Sequence, residues 1–138
     1  MTDLTLLGIA DAGRLMARGE LTSSDLTEAF LKRIEAVDHK IASYITVTAD
    51  LARNAARQAD MEMKGGLRRG PMHGIPVALK DNIQTTNMPT TGGALAFAGL
   101  TPPYEATLTK NLTDAGAIII AKTGLTELAN WEIGRAHV

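Results

Sequence analysis

The sequence predicts an α/β fold in which N-terminal helices precede a parallel strand–helix–strand unit. Apolar residues recur at helical spacing through the first half of the chain. Two continuous apolar runs, Ile75–Leu79 and Ala117–Ala121, then stand between Gly, Pro or charged residues, as strands buried on both faces do. Between those runs, Ala106, Leu108, Leu112 and Ala115 space one short helix that Gly116 closes. Strand, helix, strand with a long connection implies a parallel βαβ unit in an α/β fold.

Leu6, Ile9, Ala10, Gly13, Met16 and Ala17 make the inner face of a first helix, weakened by Gly8 and Gly13 and stopped by Gly19. A second helix opens on Thr22 with Asp25 three residues on, the pattern of a capping box. Leu26, Phe30, Ile34 and Val37 follow on one stripe. From Tyr44 to Thr48, Ile45 and Val47 alternate with Tyr44, Thr46 and Thr48, which suits a half-buried strand. A third helix runs from Ala49 to Lys64 with Ala52, Ala55, Ala56, Ala59 and Met63 inward, and Gly65-Gly66 ends it. So small an inner face requires close packing against whatever covers it. The stretch from Asp81 to Pro103 has no regular period, and a loop beyond about 12–15 residues in a compact domain is functional or disordered. Its place at the exit of a buried strand points to function.

Composition narrows the chemistry. The chain has 138 residues, of which 45% are hydrophobic, enough for one domain with a core. Its 14 Lys and Arg nearly balance 15 Asp and Glu, so it carries no electrostatic footprint for nucleic acid or an anionic membrane. Without cysteine it has no disulfide, thiol chemistry or thiolate metal ligand. Three histidines and scattered carboxylates show no zinc spacing, and Gly92-Gly93 lacks the other residues of a phosphate loop. No metal or cofactor is expected. The N-terminus lacks the basic and apolar regions of a signal peptide, and no apolar run approaches the ~20 residues of a membrane span. A cytoplasmic protein is the expectation.

Lys80 is the candidate catalytic residue. It ends the run Gly74-Ile75-Pro76-Val77-Ala78-Leu79-Lys80-Asp81-Asn82, which leads an ammonium out of an apolar strand. Ligands of open α/β sheets bind beyond the carboxyl ends of the strands. A lysine neutralised by burial can act there as a general base. The competing reading is a lysine that snorkels at a strand end beside Asp81. His73 shapes or hydrogen-bonds the turn before β-structure, and His39 suits the end of a helix.

The segment from Gly70-Pro71-Met72-His73-Gly74 through Lys80-Asp81-Asn82-Ile83 resembles the lysine segment of the amidase-signature family. Met88-Pro89-Thr90-Thr91-Gly92-Gly93 resembles the Thr/Gly loop that follows that lysine. Ala106-Thr107 through Ile118, and Lys122-Thr123-Gly124-Leu125-Thr126-Glu127-Leu128-Ala129-Asn130-Trp131, resemble the segments after it. Leu21 to Leu26 and Arg33 to Ala36 fit the family's N-terminal helix, so the resemblance covers roughly residues 5 to 131. Ala94 departs from it, where many members carry serine. The resemblance implies N-terminal helices and part of a mixed, largely parallel sheet of the amidase-signature fold, truncated. It also implies amide C–N hydrolysis by a Ser–cis-Ser–Lys triad in which Lys80 is the lysine. The substrate would be a small or peptide-like amide.

Both family serines belong to a Gly/Ser-rich motif that this chain lacks. Its serines are Ser23, Ser24 and Ser43, all upstream of Lys80, so an N-terminal fragment without turnover of its own is expected. Residues 1–131 read as a partial amidase-signature domain and 132–138 as a tail foreign to it. That tail, Glu132 to Val138, can be encoded by GAG ATC GGA AGA GCA CAC GTC, which contains a sequencing-library adapter, so an artefact is the expectation. A variant reading is the amidase subunit of a glutamyl-tRNA(Gln) amidotransferase, which liberates ammonia from glutamine. Asn82-Ile83 and Asn130-Trp131 look more like the free-standing amidases. Outside the family, two readings remain: a non-catalytic α/β module with Lys80 structural, or a Schiff-base lysine.

Overall fold

In the computed structural model, residues 3–130 are described. Trp131 and the 132–138 tail, with the expected boundary between them, lie outside the described residues. Among the described residues the regular elements are α1 (Ile9–Ala17), α2 (Ser23–Ile41), β1 (Tyr44–Val47), α3 (Ala49–Lys64), β2 (Pro76–Lys80), α4 (Thr107–Asp114) and β3 (Ile118–Thr123). The strands form one mixed sheet in the order β1-β3-β2. β2 runs parallel to β3, with α4 in the crossover, and β1 pairs antiparallel on the other side of β3. The expected βαβ unit is therefore present. No helix among the described residues is long and apolar enough to cross a membrane.

The helices pack as two clusters. One joins α2 and α3 to the sheet through Ile34, Ala52, Ala59, Ile118, Ile120 and Ala121. Ala52 and Ala56 are wholly buried, so α3 meets its neighbours through methyl groups, as an alanine face predicts. Ala55, expected on that face, is exposed. The second cluster gathers Ala12, Met16, Leu21 and Leu26 around Ile75, and Phe30 and Met63 pack against both clusters.

Two expectations about faces are corrected. Leu6 is 82% and Ile9 51% exposed, because α1 begins only at Ile9 behind Gly8, and Leu6 belongs to a separate 3-10 turn. The buried face of α1 is Ala12, Gly13 and Met16. In β1 the alternation holds with the opposite phase: Tyr44 and Thr46 are half-buried while Ile45 and Val47 face outward. Tyr44 packs against the α2–α3 cluster, and a bulge between Tyr44 and Thr46 sets the register.

Burial of the parallel pair is unequal. β3 is central and buries Ile118, Ile120, Ala121 and Lys122. Among the described residues β2 has β3 on one side only, and of its residues Leu79 alone is fully buried. Two-sided burial, expected for both runs, holds for β3 and not for β2.

Candidate functional site

The entry of β2 is fixed before its end can be used. Ser23, at the start of α2 and wholly buried, donates its hydroxyl to the Gly74 carbonyl at 2.8 Å. Gly74 in turn donates its N–H to the Gly116 carbonyl at 2.9 Å. A side chain on Gly74 would meet Ser23 at about 3.0 Å, and its φ of +78° suits only glycine. Lys80 closes the strand, with its side chain exposed. Its ammonium makes no ion pair or hydrogen bond among the described residues.

The next residue is held at every polar atom but one. Asp81 donates its N–H to Thr123 O at 3.1 Å and accepts at its own carbonyl from Gly92 N at 3.0 Å. Its Oδ2 accepts from Thr91 N at 3.0 Å and from the Thr91 hydroxyl. Oδ1 has no hydrogen-bond donor, and the nearest cation is the Lys122 ammonium at 3.8 Å. Lys122 donates to the Ile83 carbonyl and the Thr90 hydroxyl, each at 2.7 Å. Burial pushes the Lys122 ammonium below its ordinary lysine range, and the Asp81 carboxylate only partly offsets that. A buried anion, a buried cation and two threonines thus staple the loop after β2 to the carboxyl end of the sheet.

Close approach of backbones completes the loop. A Cβ on Gly93 would lie 2.7 Å from the Leu125 carbonyl, and its φ is +73°. Gly92 O accepts from Leu128 N at 2.7 Å, where Leu128 sits at a positive φ of 53°. These segments enclose a cleft of about 300 Å³ whose polar side is Asn82, Gln84, Thr90 and Thr91. Its apolar side is Phe97, Leu100 and Leu128. Such a cleft, apolar with a few fixed polar groups, is the usual form of a small-molecule site.

The other sequence candidates are placed elsewhere. His73 is 1% exposed and its Nδ1 accepts from Arg69 N at 3.1 Å, so it does hold the turn ahead of β2. Its Nε2 lies 3.1 Å from Glu62 Oε2 but off hydrogen-bond alignment. Burial pushes His73 below the usual histidine value, against the pull of Glu62. Arg69, paired to Glu62 through Nε and one terminal nitrogen, holds that carboxyl down at about 2. His39 is exposed in the last turn of α2. Ser24 donates to Asp60, and Ser43 follows the end of α2 with its N–H on Asp38. Among the described residues no three His, Asp or Glu side chains converge as metal ligands. Reading the sequence missed Asp81 and Lys122 as members of the cluster beside Lys80. The available signal was a lysine directly after the run read as a buried strand, Ala117 to Ala121, which the structure extends to Thr123.

Residues 25–135 match the family model described as Amidase. Among curated proteins, the chain is 41% identical over 129 residues to the A subunit of the glutamyl-tRNA(Gln) amidotransferase of Salinispora arenicola, covering 94% of this chain and 26% of that protein. It is 43% identical over 127 residues to the corresponding polypeptide of Anaeromyxobacter sp. strain K, with 92% and 26% covered. Among solved structures, the native peptide amidase of Stenotrophomonas maltophilia superposes with a TM-score of 0.86 at 42% identity, covering 91% of this chain and 26% of the other. The chain spans about a quarter of the length of the relatives it matches.

Proposed function

The chain belongs to the amidase family, and from that premise we propose that the protein containing it hydrolyses amide C–N bonds with Lys80 as its proton-transfer group. The observation that carries this reading is the position of Lys80. It ends a parallel strand at the carboxyl side of the sheet, one residue before a loop stapled to Asp81 and lining a cleft. In a Ser–cis-Ser–Lys arrangement the neutral Lys80 amine takes the proton of a bridging serine. That serine takes the proton of the nucleophile, whose oxygen attacks the amide carbonyl. The leaving amine departs with a proton returned along the same relay, and water then cleaves the acyl ester to release the acid.

Two requirements of that mechanism fall on residues outside this chain. The hydroxyls of Ser23 and Ser24 are held by Gly74 O and Asp60, and Ser43 is tied through its backbone to Asp38 and Gly124, so this reading takes both serines of the triad from elsewhere. Lys80 is also exposed among the described residues, and a catalytic state closed to water needs a cover over the end of β2. The 138 residues alone are accordingly expected to be inactive.

The test uses the full-length protein encoded at the source locus, assayed for ammonia release from peptide amides. Lys80→Ala should lower kcat by about 10²–10⁴-fold. Lys80→Arg should rescue poorly, because a guanidinium stays charged and accepts no proton. Turnover near that of the unaltered protein in either variant removes Lys80 from the mechanism. The curated relatives favour a second reading, an amidotransferase subunit that releases ammonia from glutamine. Glutamine hydrolysis that appears only with partner subunits, without action on peptide amides, would select it.

A further inference from the structure

Asp81 and Lys122 are each 0% exposed, and they face each other across the exit of β2. Their geometry is not that of a pair optimised for mutual attraction. The separation of 3.8 Å is too long for a hydrogen bond, and Asp81 Oδ1 is left without a donor. Lys122 gives its protons instead to Ile83 O and Thr90 Oγ1, two points of the loop that follows Lys80. Desolvating both ions is costly, and an apolar side chain of similar size in place of lysine would avoid that cost.

The backbone of β3 is built to aim this lysine at the loop. Val77 pairs with Ile119, yet Ala78 pairs with Ala121, so β3 carries one extra residue at Ile120. Ile118, Ile120 and Ala121 all pack in the α2–α3 cluster. Strict alternation would send Lys122 to the face of Ile118 and Ile120. The bulge reverses the phase, and Lys122 turns to the loop. The charged groups around its ammonium are Asp81, from the end of β2, and Glu105, ahead of α4. Glu105 is itself held by the Thr86 N–H and hydroxyl.

We infer that Lys122 is a positioning residue for the reaction at Lys80. By tying residues 83 and 90 to β3 and neutralising Asp81 from behind, it fixes the mount on which Lys80 and the Thr90–Gly93 loop stand. This rests on the proposed role of Lys80, and it assigns Lys122 no contact with substrate. Loss of the tie lets the loop and the end of β2 drift by fractions of an ångström, which costs turnover more than binding.

The experiment compares Lys122→Met with Lys80→Ala in the full-length protein, using a serine-directed fluorophosphonate to count competent sites. Well below the melting temperature, Lys122→Met should lose about 10–100-fold in kcat per titrated site while KM stays within about threefold. Thr90→Val, which removes one acceptor and no charge, should lose kcat in the same direction by a smaller factor. A purely structural lysine would lower the melting temperature and leave kcat per titrated site unchanged, which overturns the inference. If Lys122→Met does not fold, Thr90→Val decides: an unchanged kcat refutes the tie. The Lys80→Ala arm separates the two claims. Retained activity there defeats the underlying reading, whereas loss there with full kcat in Lys122→Met defeats only this one.

Discussion

Gly116 stands where the ring of His73 leaves no space for a side chain. A Cβ there would sit 2.5 Å from His73 Cδ2, on a backbone at φ +83°. Gly116→Ala should therefore destabilise by about 2–4 kcal/mol, combining left-handed strain with overpacking, as read by urea denaturation. His73 itself makes stability depend on pH, and the sign follows from its depressed affinity for protons. Above about pH 6.5, the reference value, folded and unfolded chains both hold it neutral. As pH falls below that, the unfolded chain binds the proton first and the fold loses stability. Glu62, held down to about 2 by Arg69, adds a second loss as pH falls from 4.5 toward about 2. His73→Phe should flatten the upper part of the unfolding-versus-pH curve and leave the lower part. A curve unchanged between pH 7 and 5 in that variant would refute the assignment. The role of His73 in a turn was legible in Gly70–Gly74. Its stacking on Gly116, 43 positions away, was not, because local pattern holds no information on which backbone a ring will cover.

At the scale of elements, what the sequence shows clearly is what local chemistry decides. The α3 boundaries and the Thr22 cap with Asp25 match, the Thr22 hydroxyl accepting from Asp25 N at 3.0 Å. Asp60, on α3, reinforces that same helix start by accepting from Ser23 N at 2.6 Å and Ser24 N at 3.0 Å. Nothing near residue 22 signals it. Asp60→Ala should cost about 1–2 kcal/mol, comparable to losing a helix cap, and thermal denaturation beside Thr22→Ala would measure both. An Asp60 variant as stable as the parent would show the cap to be redundant. The bulges in β1 and β3 were equally hidden. The bulge in β3 adds one residue without changing the apolar pattern and reverses the faces beyond it, which is why Lys122 points to the loop. The place of Lys80 at the end of β2 was legible because an apolar strand ending in a lysine is a local fact. The cluster behind it was not, because Asp81, Thr90 and Lys122 meet only once the crossover is complete.

For the whole molecule, the distribution of apolar surface sets the behaviour of the chain in solution. The outer edge of β2 has no strand partner among the described residues, and Pro76 at its start lacks an N–H to offer. The segments that follow β2 and β3 also expose Leu95 at 89%, Tyr104 at 61% and Leu128 at 64%. An unpaired strand edge is a template for pairing with another copy, and exposed apolar side chains add to the tendency to associate. The 138-residue chain should therefore self-associate, eluting earlier on size exclusion as its concentration rises, with light scattering giving the mass. Val77→Lys places a charge in the edge strand at a half-buried position and should return the elution toward the monomer. The variant must keep the helical circular-dichroism signal of the parent, since loss of fold would also alter elution. If the unaltered chain stays monomeric across that concentration range, the edge of β2 is already protected by its own twist and side chains, and a separate cover over it is not needed for solubility.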